Sequence, residues 1–355
     1  MNKYKKWLIV ALFISAASIA LVVGLTFNSE TIEALRTIKL EYILAAALFH
    51  VLSYFLWGAR TRAMCNALGY KVNYLKIVEI VISSVFAAAI TPSSAGGEPV
   101  RIHMLHLNGV PIGKATAIAV GERLLDASLI FASLPFALYI MRDLLANPKL
   151  DAALLTANIL AFIVLIFFIY GLWKPEKVKF ITHRITRRLA PLLGKRTDTS
   201  ISHFTEQVDK EIDLFHESIR IFITEGRKGL LWGITFTFLF WVVEFYQLVL
   251  ILMGLSQTPS VLVVFAAQIL IAIIIIVPAT PGASGVAELG AASIFSVFVN
   301  APLVGVTVIA WRALTYHMNL FLGGLMSLKV IKDMDLIKKM IGNSTELQRL
   351  PEKDI

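Results

Sequence analysis

Apolar runs of bilayer-crossing length alternate along the chain with short charged segments, and that alternation predicts helices throughout. Trp7–Phe27 holds no charged residue in 21 positions, enough for one helix across a hydrocarbon core of about 30 Å. Similar runs predict spans over Tyr42–Ala59, Leu124–Met141, Ala152–Trp173, Leu230–Gly254 and Pro302–Leu328. Two further runs break early. Ile77–Ile90, which holds Glu79, stops at Pro92, and Val261–Val277 ends at Pro278 and Pro281.

The two breaks resemble each other. The first reads Thr91-Pro92-Ser93-Ser94-Ala95-Gly96-Gly97-Glu98, and the second Thr280-Pro281-Gly282-Ala283-Ser284-Gly285. A proline, a glycine and an arginine recur 189 positions later (92 to 281, 96 to 285, 123 to 312). One shared offset for three residue types predicts an internal duplication. Paired Gly/Pro-interrupted segments are the best sequence pointer to the binding site of repeat-built transporters.

Composition narrows the class. Hydrophobic residues make up 57% and charged residues 16%, and mean hydropathy is +0.75, too little charge for a soluble surface of this size. Lys3, Lys5 and Lys6 precede the first run, but the run is too long for a signal peptide, so it is expected to stay as an anchor. The single Cys65 excludes an intrachain disulfide. The net charge of +9 follows the positive-inside rule rather than a nucleic-acid footprint. Arg60, Arg62, Lys71 and Lys76 mark one inner loop, with Cys65 as a labelling handle in it. Lys174–Lys228, with 12 Lys/Arg against 8 Asp/Glu, marks another. Within the latter, Phe204, Val208, Ile212, Phe215, Ile219 and Phe222 recur by three and four, an amphipathic helix expected to pack on the bundle or membrane surface.

The expected fold is therefore an all-α polytopic membrane protein with about six to eight transmembrane helices, two broken or re-entrant segments, and an inverted internal repeat. One transmembrane domain covers residues 1–329: repeat one at about 42–173, a cytoplasmic basic loop at 174–228 and repeat two at about 229–328. A cytoplasmic tail follows at 330–355. The chain should sit in the cell membrane as a multi-pass protein with both termini and the 174–228 loop cytoplasmic. Charge bias makes unit 77–123 begin and end inside and unit 261–301 begin and end outside. Both then read as re-entrant hairpins whose turns meet near the midplane, where irregular backbone survives only against protein or a wet cavity.

Glu79, Glu98, Arg101, Glu122, Arg123, Asp126, Glu244, Glu288 and Arg312 lie in or beside membrane segments. Each unpaired charge at the bilayer centre costs roughly 2.5–3.5 kcal/mol on insertion scales. They read either as buried ion pairs that lock the bundle or as a headgroup or ion site. The expected substrate-binding set is Thr91, Pro92, Gly96, Gly97, Glu98, Arg101, Glu122, Arg123, Asp126, Pro281, Gly282, Gly285, Glu288 and Arg312. Helix N-termini suit phosphate, Gly96, Gly97 and Gly285 allow a ligand close to the backbone, and Arg101 offers a planar fork. The carboxylates could receive an amine or a coupling cation. His103 and His106 lack a clear third metal ligand, and no Ser/His/Asp order or phosphate loop appears. No cofactor, metal site or catalytic residue is expected.

TPSSAGGEPVR, then GERLLD, then PATPGASGVAE resembles the lysylphosphatidylglycerol synthase transmembrane (flippase-like) family, over about Tyr42 to Leu328. The resemblance implies a membrane part that moves modified phospholipid between leaflets, with Glu98, Arg101, Glu122, Arg123, Glu288 and Arg312 as its polar lining. The longest polar stretch, about 55 residues, is below an ordinary domain, so the family's synthase activity is not carried over. The function expected is a polar-lipid translocase that binds an anionic phospholipid headgroup in a midplane cavity. The alternatives are a membrane-embedded headgroup transferase, with Glu98 or Glu122 as base, and a secondary transporter of a small solute. The partners expected are membrane lipids, a second copy of the chain and a separate lipid-modifying enzyme, with no nucleic acid.

Overall fold

The computed structural model describes residues 20–21, 23–24, 29–91, 96–145, 198–276, 280 and 282–327, with positions 156, 159, 162–163 and 166 besides. Every regular element among them is helical. The expected spans Trp7–Phe27 and Ala152–Trp173, the basic part of the 174–228 loop and the 330–355 tail lie outside the described residues apart from those few positions.

The described helices are α1 (Ser29–Arg36), α2 (Leu40–Ala67), α3 (Tyr74–Ala89), α4 (Gly97–Leu107), α5 (Ile112–Leu145), α6 (Asp198–Ile223), α7 (Arg227–Gly254), α8 (Val261–Ile276), α9 (Val286–Phe295) and α10 (Ala301–Arg312). A π-helical turn, Ala313–Met318, carries α10 on into a further helical stretch described as far as residue 327. Three helices, α2, α5 and α7, are long and apolar enough to cross a membrane. At 28 residues each, α2 and α7 run about 42 Å.

The two form the main antiparallel pair, the start of α2 lying against the end of α7. The Lys39 N–H donates to Gly254 O at 2.8 Å at one end, and Gly229 packs against Ala63 and Ala67 at the other. The outer face of α2 exposes Leu40, Leu44, Leu48, Leu52 and Phe55, one stripe at helical spacing of the kind that faces lipid. Two apolar cores lie inside. One joins Ala46, the second half of α5 from Leu134, and α7 to α10; the other joins Tyr54, Met64, α3, α4 and α5 as far as Ile118. On α5 the stretch between them, from Ile118 to Leu134, holds Glu122, Arg123 and Asp126.

Hydropathy set two boundaries wrongly. α2 runs eight residues past the expected end at Ala59, so Arg60 is wholly buried rather than in an inner loop, and Cys65 is likewise fully buried. The stretch before Leu124 is not the tail of a broken unit. It is the first third of α5, and Glu122 and Arg123 belong to a spanning helix. In both places the polar residues are answered by other helices, which an averaged hydropathy along one segment does not register.

At 16 and 11 residues, α3 and α4 measure about 24 and 17 Å, and α8 and α9, at 16 and 10, about 24 and 15 Å. Each is shorter than the hydrocarbon core. Asn73 caps α3 by accepting from the N–H groups of Leu75 (3.0 Å) and Lys76 (3.4 Å). α6 carries the expected apolar spacing, buries Phe222 and Ser218, and docks on α5, where Gly113 N–H donates to Glu211 at 2.5 Å.

Candidate functional site

Among the described residues, the Thr91 hydroxyl ties together the two ends of the first glycine turn. Thr91 Oγ1 donates to Ala87 O at 2.7 Å and accepts from Gly96 N–H at 2.8 Å, folding α4 back against the end of α3. A Cβ at Gly97 would lie 3.1 Å from Ser84 O, and one at Gly96 would lie 3.0 Å from Ala87 O. These glycines let two backbones approach, so Thr91, Gly96 and Gly97 shape the turn. Pro92 and Pro281 lie outside the described residues.

Just past the turn lies a cluster of three arginines and three carboxylates. Glu122, fully buried on α5, accepts from Arg101 Nη1 (2.5 Å), Thr61 Oγ1 (2.5 Å) and Trp57 Nε1 (3.0 Å), and its Oε1 lies 3.7 Å from Arg60 Nε. Asp126, one turn along, accepts from Arg60 Nη1 (2.6 Å), Trp241 Nε1 (3.0 Å) and Arg123 Nη1 (3.1 Å). Glu98 bridges Arg101 to Arg123, the latter at 2.7 Å. Trp57 stands at the hub, its ring 5.4, 5.2 and 4.9 Å from the guanidinium carbons of Arg60, Arg101 and Arg123, within cation–π range.

Burial divides the cluster. Arg60, Arg101 and Glu122 are wholly enclosed, whereas the side chains of Arg123 and Glu98 are 46% and 36% exposed. The interior is a closed ion network. The rim is an accessible arginine–carboxylate pair, and the guanidinium fork is the group suited to a phosphate.

The second turn carries a smaller version. Glu288, in the first turn of α9, accepts from Gly285 N–H at 2.6 Å and from Arg312 Nε at 3.0 Å, and Arg312 Nη2 reaches Gly282 O at 3.3 Å. The Arg312 guanidinium also lies 4.3 Å from the ring centroid of Tyr316, inside the π turn. Glu98 and Arg123 are 25 residues apart, Glu288 and Arg312 24. In each half an acid just after the glycine turn meets an arginine on a following helix. The second turn packs on the end of α3: Gly282, at φ 59°, is so close that a Cβ there would lie 3.1 Å from Ala89 O.

Of the other charges expected to need partners, Glu79 pairs locally with Lys76 at 2.9 Å. Glu244 faces His50 at 3.4 Å, apart from the cluster. Sequence reasoning missed Arg60, Trp57, Thr61, Thr237, Trp241 and His50. An arginine between Trp57 and Met64, inside an apolar helix, was the available signal for the first of them. Two open hollows, of about 400 and 330 Å³, lie around Arg62 and Asn66 toward the end of α2, not at the cluster.

A model of the lysylphosphatidylglycerol synthase transmembrane region matches residues 8–323. The chain belongs to this family. Among relatives of this lysylphosphatidylglycerol synthase transmembrane-region protein, a UPF0104 membrane protein of Archaeoglobus fulgidus is 29% identical over 316 residues, covering 89% of this chain and 94% of the relative. UPF0104 membrane proteins of Pyrococcus horikoshii and Methanocaldococcus jannaschii are each 24% identical, covering 84% and 92% of this chain and 90% and 95% of their own lengths. Family and apolar helices together make the chain a multi-pass membrane protein of this family.

Proposed function

We propose that this protein is a polar-lipid translocase that binds an anionic phospholipid headgroup where its two glycine turns meet. One observation carries the reading: the Arg123–Glu98 pair is open on a charge cluster that is otherwise sealed. A lipid phosphate arriving there competes with Glu98 for the Arg123 fork, and Arg60, Arg101, Glu122 and Asp126 hold the frame while that exchange takes place. Helices α3, α4, α8 and α9, each too short to cross upright, support two hairpins entering from opposite faces. The contact of Gly282 with the end of α3 supports their meeting inside the protein. A structural lock alone would not need its outermost arginine exposed.

The test is a proteoliposome assay with headgroup-labelled phosphatidylglycerol and a membrane-impermeant quencher. Wild-type protein should expose inner-leaflet label to the quencher well above the rate of protein-free vesicles, and Arg123→Gln should return it to that background. Equal rates with and without protein, or an unaffected Arg123→Gln, would overturn the reading. A new covalent lipid product would favour the transferase, and solute uptake without lipid movement the secondary transporter.

A further inference from the structure

A second buried polar site lies along the same two helices and takes no part in the cluster. His50 on α2 is ten residues from Arg60, about 15 Å along the axis. From the cluster toward His50 run the rings of Trp57, Phe240, Trp241 and Phe245, in contact one after the next. Facing His50 are Tyr54 from α2, Glu244 and Gln247 from α7, and Asn319 from the stretch just after the π turn. Among the described residues no other charged group forms an ion pair with His50 or Glu244.

The hydrogen bonds fix where protons sit. Asn319 Nδ2 donates to Thr315 O at 2.6 Å, so its Oδ1 is the atom turned toward His50. Tyr54 donates its hydroxyl proton to that Oδ1. The imidazole Nε2 therefore carries a hydrogen and donates it, 2.9 Å from Asn319 Oδ1 and 3.0 Å from the Tyr54 oxygen. The other nitrogen, Nδ1, faces Glu244 Oε1 at 3.4 Å. With Nε2 protonated, a bare Nδ1 against a bare carboxylate would set lone pair against negative charge. One further proton belongs between them, as imidazolium with carboxylate or as imidazole with carboxylic acid. Gln247, wholly buried beside both groups, has an amide oxygen and an amide NH2 with which to meet either form.

We infer that the His50–Glu244 pair is a proton-binding site, exchanging one proton between Nδ1 and Oε1, and that its occupancy drives the movement proposed above. The Glu244 side chain is 17% exposed against 4% for His50, so the carboxylate is the side on which the proton enters and leaves. The coupling route is short. α2 carries both His50 and Arg60, α7 both Glu244 and the Thr237 and Trp241 that hold the cluster, and the π turn joins Asn319 to Arg312.

The proton site stands independently of the translocase reading; the coupling rests on it, and two measurements separate them. In purified full-length protein, pH-difference infrared spectra should show one carboxyl or imidazole titration that disappears in both Glu244→Gln and His50→Gln. Glu244→Asp should restore it, shifted, which a packing role alone would not produce. A wild-type spectrum without such a band, or one unchanged in the variants, overturns the site whatever lipid does. In proteoliposomes, one proton per lipid across one pH unit supports up to about tenfold lipid asymmetry. Wild type should build asymmetry under that gradient, and Glu244→Gln should only equilibrate. Lipid movement indifferent to the gradient would overturn the coupling and leave the translocase standing; no lipid movement even at equal pH would overturn the translocase and, with it, the coupling.

Discussion

Replacing Glu122 by Gln tests whether the cluster has a structural interior and a working rim. The substitution keeps shape and removes one negative charge from a set of three arginines and three carboxylates. Arg101 keeps only Glu98, Arg60 keeps only Asp126, and the sealed interior becomes positive. Trp57 and Arg101 both donate to Oε2, whose place the amide oxygen takes, while Thr61 donates to Oε1, whose place falls to the amide NH2. That NH2 lies where Oε1 stood, 3.7 Å from Arg60 Nε, so a donor replaces the charge that faced the guanidinium. Breaking a buried pair from one side costs about 3–5 kcal/mol, because the remaining charge stays out of water. Arg123→Gln removes a charge that is 46% exposed, where an ion pair is worth about 0–1 kcal/mol. Reversible denaturant unfolding in bicelles should therefore separate the two variants by at least about 2 kcal/mol. In vesicles Arg123→Gln should fold normally and lose lipid movement. If Glu122→Gln matches wild-type stability, or if Arg123→Gln destabilises as much as Glu122→Gln, the division into frame and rim is wrong.

The second clamp should behave as buried structure. Arg312→Met takes the opposing charge from a fully enclosed Glu288 and should cost about 3–5 kcal/mol, while the double variant with Glu288→Gln should recover most of that in the same unfolding measurement. Gly282→Ala places a side chain at φ 59° against Tyr316 and Ala89 O. It should cost at least the 1–2 kcal/mol or so of a left-handed residue and slow lipid movement, read by the vesicle assay. Cys65, sealed inside α2, should react with a membrane-permeant maleimide only after unfolding, followed by mass shift.

What the sequence revealed, and what it hid, follows from how far each interaction reaches along the chain. The charges beside the two glycine runs could be read as candidates because proline, glycine and charge stand out against apolar runs, and because Arg123 and Arg312 keep the offset of the glycines. Arg60 was hidden for the opposite reason. Its partners Asp126 and Thr237 are 66 and 177 residues away, so in its own neighbourhood it reads as the first basic residue of a loop. His50 was quieter still, a lone histidine whose partners Glu244 and Asn319 sit on other helices.

Membrane helices make this asymmetry severe. A soluble helix shows its buried face by periodicity, but α7 is apolar all round, so hydrophobicity alone does not say which side meets Thr237's partner or Glu244's. Only polar residues carry orientation in such a helix, and they do so in pairs. On α2, Trp57, Thr61 and Arg60 turn to Glu122 and Asp126, while Leu44, Leu48 and Leu52 stay outside. A polar residue inside an apolar span is better read as half of a contact whose other half must be sought on another helix than as the edge of that span. Applied at Arg60, that rule extends α2 to Ala67 and points to Glu122 and Asp126 as the acids in search of a partner.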